Sequence, residues 1–298
     1  MNDLISVIII TYNMADLLRN AICSLKEQTN QNFEIIVVDN HSIDHTEDVI
    51  NSFSELDIKY IKVHNEGVLS VSRNEGTKLA KGNWMAYLDA DDYWMPDKIQ
   101  QLYNVIEQIP DDYVAISHDF VLNDVRSGKK VTHKCEFDTE NLQKELIMGE
   151  NRIALSGTAV RKDSLLIVNG FSEDVRLKTV EDYDLWIRLS GIGKFFFLHK
   201  PLAMINLHDG NYSKKADIQM AALDYLKHNY LDGELSVLFT YDEKQQAYNY
   251  SDTMRARILQ KNGFFDEAAD VCKDLFRRRV ITIKLLIIYL FTLIRIAK

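Results

Sequence analysis

Four short runs rich in β-branched residues, LISVIII (4–10), FEIIVVD (33–39), IKYIKV (58–63) and NWMAYLD (83–89), recur through the first 120 residues and constrain the fold more than any other feature. Each reads as a strand, and LISVIII has the continuous apolar pattern of a strand buried on both faces. Between them lie stretches with helical period: Leu17, Leu18, Ile22 and Leu25 after the first run, a segment opened by Asp44 as N-cap after the second, and VLSVSRNEGTKLAK after the third. Strands alternating with helices predict an α/β domain with a mostly parallel sheet covered on both faces. Ligands of such sheets sit beyond the carboxyl ends of the strands, where loops and helix N-termini converge. The polar residues at those ends are therefore candidates: Thr11, Tyr12 and Asn13; Asp39, Asn40 and Ser42; Asn65; Asp89, Asp91 and Asp92.

Residues 113–206 read as shorter strands (YVAISHDF and KFFFLHKPLAMINL) around a polar segment, TVEDYDLWIRLSG. From about Lys214 the pattern turns helical, and LQKNGFFDEAADVCKDLFRR has the Gly turn and Ala-containing helix of a helical hairpin. Three scattered cysteines, Cys23, Cys135 and Cys272, have no metal-ligand spacing and fit a reducing compartment. The N-terminus has no basic segment ahead of its short apolar run, so the expected location is cytoplasmic. The net charge of −9 is uneven: residues 277–298 hold six basic residues and no acid, leaving −15 on the rest, which argues against nucleic acid as a partner. The uninterrupted apolar run of that tail, Val280 to Ile294, spans roughly 22 Å as a helix, too short for a hydrocarbon core of roughly 30 Å. A helix over 277–298 would put Arg277, Lys284, Arg295 and Lys298 on one stripe, which predicts a basic amphipathic helix at the inner face of a membrane, with docking on a partner subunit as the alternative.

Three constellations carry chemistry. Asp89-Ala90-Asp91-Asp92 ends an apolar strand, and three carboxylates in four residues repel unless a cation or donors offset them; they suit Mg²⁺ or Mn²⁺ together with substrate phosphates, or else the start of the following helix. ITYN, VVDNHS and VSRNEG offer an aromatic ring to stack on a base, a carboxylate for base N–H or ribose hydroxyl, and Arg73 for charge-assisted bonds. Glu181-Asp182-Tyr183-Asp184 opens an apolar helix containing Trp186, either as a dipole-favoured acidic start or as the carrier of a general base.

Taken in order, SVIIITYNMADLLRNAICSLKEQTNQNFEIIVVDNHSIDHTEDVI, SRNEGTKLAKGNWMAYLDADDYW and NGFSEDVRLKTVEDYDLWIRL resemble the family 2 inverting glycosyltransferases, over roughly residues 4–213. The resemblance implies a GT-A fold, Rossmann-like with a mostly parallel sheet, in a domain over 1–213, followed by a helical region over 214–276 and the amphipathic helix over 277–298. It implies transfer from a nucleoside-diphosphate sugar, most commonly a UDP-sugar, to a hydroxyl of a glycan or lipid-linked acceptor in surface polysaccharide or glycoconjugate synthesis. Thr11, Tyr12, Asp39, Arg73 and Asp89 would hold the nucleotide and Asp91 the Mn²⁺ or Mg²⁺. Asp182 would be the catalytic base, with Glu181 and Trp186 seating the acceptor. His208, in NLHDGNYS, falls where many members carry a metal- or diphosphate-reaching histidine, although Asn206 replaces the usual arginine before it. Two rivals are a non-catalytic nucleotide-sugar-binding scaffold and a nucleotidyltransferase; the latter usually shows a Gly- and Arg-rich phosphate loop where this chain has ITYNMAD.

Overall fold

The computed structural model describes residues 4–208 and 216–296 and divides into two compact units. The first comprises Met1–Gln143, Asn151–Val175 and Glu181–Asn211; the second comprises Lys144–Glu150, Arg176–Val180 and Tyr212–Lys298.

The first unit is built on β1 (Ile5–Thr11), β2 (Phe33–Asp39), β3 (Ile58–Lys62) and β4 (Trp84–Asp89), which pair in parallel in the order β3-β2-β1-β4. All but one of the β1 residues are buried, as the continuous apolar run requires. The first helix, α1 (Ala15–Lys26), buries Ala15, Leu18, Ala21, Ile22 and Leu25, a stripe at helical spacing. Asp44 does not cap the second helix by simple precedence: one of its oxygens accepts from Ala15 N at the start of α1, and the other accepts from the amide and hydroxyl of Thr46 at the start of α2 (Thr46–Asn51). The third helix, α3 (Leu69–Leu79), lies so close to the sheet that a Cβ on Gly76 would stand 2.6 Å from Ile8 Cγ2.

Beyond β4 the sheet changes direction. A two-residue strand, β5 (Tyr93–Trp94), and α4 (Lys98–Ile106) lead into β6 (Tyr113–Asp124), which turns through Gly128 into β7 (Lys129–His133). A short helix α5 (Leu142–Met148), a 3₁₀ turn (Leu155–Gly157), β8 (Thr158–Arg161) and α6 (Lys162–Ile167) precede α7 (Glu181–Ser190) and the long β9 (Lys194–Leu207). β8 runs antiparallel between β4 and β6, whereas β9 runs parallel to β6 and antiparallel to β5. The result is the mixed α/β architecture of a GT-A fold: a parallel half extended by antiparallel and returning strands.

The second unit is helical: α8 (Ala216–Leu231), α9 (Tyr241–Lys261), α10 (Phe265–Arg277) and α11 (Ile283–Ile296). Thr240 and Glu243 form a reciprocal capping box at the start of α9, and Gly263, at φ +86°, makes the turn into α10. Ala256, Cys272, Leu275, Leu285 and Ile288 form a small core, and Gln260 Nε2 donates to Ile288 O and Thr292 Oγ1. Lys227, buried in α8, donates to the carbonyls of Leu146, Ile147 and Gly149; burial pushes its ammonium down to about 7. The expected single basic stripe over 277–298 is corrected here. Arg277 ends α10 and Lys284 lies in α11, with Arg279 at φ 62° in the break between them, while Lys298 lies outside the described residues. No helix among the described residues is long and apolar enough to cross a membrane.

Candidate active site

Register brings the predicted residues to one edge. Thr11 is the partner of Asp39 across β1–β2, and Ile10 is the partner of Asp89 across β1–β4, so three strands end level. Tyr12 is half exposed just beyond β1. Asn13, at φ 52°, ties the two loops together: its amide donates to Ser42 Oγ and its Oδ1 accepts from Ile43 N. Asp39 is buried at 1% exposure and accepts from the Ser42 amide and hydroxyl on one oxygen and from Tyr60 OH on the other. Burial and this carboxylate push the Tyr60 phenol well up, so it stays a donor. Asn40 Oδ1 accepts from Asn65 N, and the imidazoles of His41 and His64 stack at 3.6 Å, joining the loops after β2 and β3.

Arg73 of α3 is the centre of the arrangement. Its guanidinium donates to Glu181 Oε1, 108 residues away in sequence, at 2.6 Å and to Asp89 Oδ1 at 3.2 Å, so it connects the end of β4 to the first turn of α7. Burial opposes the charge, but Asp89 and Glu181 outweigh it and hold Arg73 protonated. Three buried polar atoms, Thr11 Oγ1, Arg73 Nε and Glu181 Oε2, have no hydrogen-bond partner among the described residues. Unsatisfied polar atoms in a native interior call for a polar ligand or water.

The oxygens of Asp89, Asp91 and Asp92 lie within 4.8 Å of one another. The alternative of a helix cap is excluded, because α4 begins only at Lys98. Burial, then the charge of Asp91, holds the Asp92 carboxyl well above its ordinary range, and burial raises Asp89 too despite Arg73. Three crowded carboxylates are a donor set of hard oxygens that a divalent cation fits. His208 Nε2 stands 2.9 Å from Asp91 Oδ2, which places the predicted histidine at the predicted metal carboxylate. Asn206, standing where an arginine was expected, braces the same loop: its amide donates to Asp92 Oδ1 and its Nδ2 to Asp91 O.

Asp182 lies in the first turn of α7. Burial, with Glu181 alongside, pushes its carboxyl up to about 7, while Tyr183 N donates to one oxygen and Asn151 Nδ2 to the other at 3.3 Å. Trp186 is corrected: the indole has no exposed surface and packs edge-on against Phe195, so it has no face for an acceptor. Glu181, expected to seat the acceptor, is turned to Arg73 and is nearly buried in an ion pair with it.

Three residues of the site, Ser156, Lys98 and Asn151, carry no motif in the sequence. Ser156 accepts from Asp89 N and donates to Asp92 Oδ2, while its carbonyl accepts from Trp94 Nε1 and from Lys98 Nζ. Lys98 is fully buried over the Trp94 ring at 3.8 Å, and burial holds its ammonium well below the usual lysine range. Asn151 completes the set through Asp182. Each sits among ordinary neighbours in sequence, and only the apolar run interrupted by Ser156 hints at a buried polar role.

The sequence model described as "Glycosyl transferase family 2" matches residues 6–167. The chain is 29% identical over 234 residues to an uncharacterized glycosyltransferase of Haemophilus influenzae, covering 76% of this chain and 77% of that one. It is 30% identical over 195 residues, 64% of this chain and 72% of the relative, to the UDP-Glc:alpha-D-GlcNAc-diphosphoundecaprenol beta-1,3-glucosyltransferase WfaP of Escherichia coli. Among solved structures it is similar to a mannosyltransferase of Pyrobaculum calidifontis in complex with GDP-Man and Mn²⁺, with a TM-score of 0.64, 15% identity and coverage of 98% of this chain and 85% of that one. It is also similar to residues 1–349 of S. aureus TarS in complex with UDP-GlcNAc, with a TM-score of 0.60, 16% identity and coverage of 96% and 89%.

Proposed function

Because the chain belongs to glycosyl transferase family 2, we propose that it transfers a sugar from a nucleoside-diphosphate donor, a UDP-sugar, to an acceptor hydroxyl with inversion at the anomeric carbon. The single observation that carries this reading is Arg73, whose bonds to Asp89 at the end of β4 and to Glu181 beside Asp182 support a donor site and a base at one centre. Tyr12 stacks on the base, Asp39 accepts from it or from the ribose, and Thr11, Arg73 and Asp89 bind the remainder of the nucleotide. Asp91 and His208 hold the metal, Mn²⁺ or Mg²⁺, which when bound supplies Lewis-acid stabilisation of the departing diphosphate. Asp182 takes the acceptor proton as the hydroxyl oxygen bonds to the anomeric carbon and the C–O bond to the diphosphate breaks. Its raised pKa near 7 keeps it a competent base at neutral pH and a better proton acceptor than an ordinary carboxylate.

Relatives support the substrate classes: the solved neighbours bind UDP-GlcNAc or GDP-Man, and WfaP is named for a lipid-linked acceptor. A place at the inner face of a membrane is supported by α11, which leaves Ile283, Leu286, Ile287, Leu290, Phe291 and Ile294 exposed beside Lys284 and Arg295. Deleting 277–298 would release the chain from anionic vesicles with donor binding intact; unchanged vesicle recovery would reject that placement. The transfer reading is tested by NMR of the product formed from an α-linked UDP-sugar in the presence of an acceptor panel. A β-linked product, absent with Asp182→Asn, is expected; a retained α-linkage, or full transfer by the variant, would refute it.

A further inference from the structure

The β6–β7 hairpin carries Arg126, Lys129, Lys130, His133 and Lys134 with no acid from 125 to 135, on a chain whose net charge is −9. Every residue of β7 is exposed. Elsewhere in the same unit Lys26, Lys62, Lys78, Lys194 and Lys200 pair with carboxylates, whereas among the described residues Lys129, Lys130 and Lys134 make no ion pair. A concentration of positive charge on an acidic protein attracts an anion.

The register relates this charge to the active centre. Lys130 is the cross-strand partner of Asn123, and Asn123 is in turn the partner of Asn206 in β9. Directly opposed residues share a face of the sheet, so Lys130, Asn123 and Asn206 form one row. Asn123 Nδ2 donates to Asn206 Oδ1, and Asn206 Nδ2 reaches the carbonyl of Asp91. Two strand spacings put the Lys130 backbone about 10 Å from that of Asn206. Thr132 follows on the same face, while Lys129, Val131 and His133 take the other; the stack of His133 on Phe120 agrees with this alternation.

We propose that this row is an acceptor subsite for a phosphate-bearing substrate, with Lys130 holding a phosphate or diphosphate located one or two sugar units from the hydroxyl that is glycosylated. Lysine, a point charge with three rotatable donors, suits a phosphate group of variable pose, whereas planar carboxylate recognition favours an arginine fork. The inference rests on the glycosyl-transfer reading and names the acceptor class for it. Lysine on an edge strand also discourages pairing with other sheets, but that role is served equally by either face and leaves substrate discrimination untouched.

The test offers each of several sugars to the full chain in three forms: an uncharged octyl glycoside, an octyl glycosyl diphosphate, and the sugar diphosphate without the alkyl chain. Donor turnover is followed separately as nucleoside-diphosphate release without acceptor. We expect the diphosphates to be preferred, with KM rising about tenfold in Lys130→Gln and the neutral glycoside unaffected, while Lys129→Gln, on the opposite face, behaves as wild type. Preference for the octyl form over the bare diphosphate assigns the phosphate to a lipid carrier, and equal use assigns it to a soluble glycan phosphate. Equal use of charged and neutral acceptors, an unaltered KM in Lys130→Gln, or intact donor turnover with no transfer to any diphosphate would overturn the subsite. Loss of donor turnover and donor binding in the wild type would instead sink the transfer reading, and this inference with it.

Discussion

Replacing Asp182 by Asn should remove transfer and, at the same time, stabilise the protein at alkaline pH. Burial and Glu181 lift the Asp182 carboxyl from 3.8 to about 7 in the folded chain. Below pH 4 the group is protonated whether the chain is folded or not, and it costs nothing. As pH rises from 4 to 7 the unfolded chain releases this proton while the folded chain retains it, so stability falls across that window and levels off above it. A shift of about three units at about 1.4 kcal/mol each sets an upper limit of about 4 kcal/mol. Asp182 is only partly buried, so solvent screening reduces the expected gain in the variant to about 2 kcal/mol. For a domain of this size that corresponds to a rise in Tm of roughly 4–8 °C. Asn does not titrate, yet its side-chain oxygen can still accept from Tyr183 N, so packing is retained. The assay is thermal unfolding of wild type and Asp182→Asn in EDTA at pH 4.5 and pH 8, with transfer activity measured in parallel. The variant should exceed the wild type by several degrees at pH 8 and by little at pH 4.5, and kcat/KM of the wild type should rise with a midpoint near pH 7 toward a plateau at more alkaline pH. A stability difference of the same size at both pH values would refute the reasoning.

Other perturbations follow from the same geometry. Arg73→Met leaves Glu181 buried without its cation and should cost about 3 kcal/mol in urea unfolding as well as donor binding, whereas a stability within experimental error of wild type would separate Arg73 from the fold. Ser156→Ala removes the acceptor for Asp89 N and the donor to Asp92; the Mn²⁺ concentration for half-maximal activity should rise at least about tenfold, with unfolding easier by about 2 kcal/mol. Gly76→Ala drives a methyl group against Ile8 and Val38 and should destabilise by about 1–3 kcal/mol, lowering the urea midpoint without altering donor affinity per folded molecule.

The sequence made the parallel half of the sheet legible because β1, β2 and β4 are continuous apolar runs, and the polar residues at their ends fall together by register alone. The returning half was harder to see. β7 is entirely exposed, so it has no apolar alternation to mark it, and β6 extends four residues past the apolar run that signalled it. Asp89, Asp91 and Asp182 stood out as clustered carboxylates, but the bond from Arg73 to Glu181 joins residues 108 apart, and no local pattern encodes such a contact. Trp186 was misjudged for a related reason: an aromatic one turn after the acidic pair shares its helix, yet helical rotation carries the indole into the core beside Phe195. The break at 278–282 was hidden because the basic and apolar residues on its two sides fit one uninterrupted helical period.

The most direct test of the account is calorimetric titration with UDP, GDP, CDP and dTDP, each with and without Mn²⁺, on wild type and Asp91→Ala. Mn²⁺-dependent binding is expected, with UDP the strongest, and that dependence should be lost in the variant. Nucleotide binding that is indifferent to both Mn²⁺ and Asp91, or absent under every condition, would contradict it.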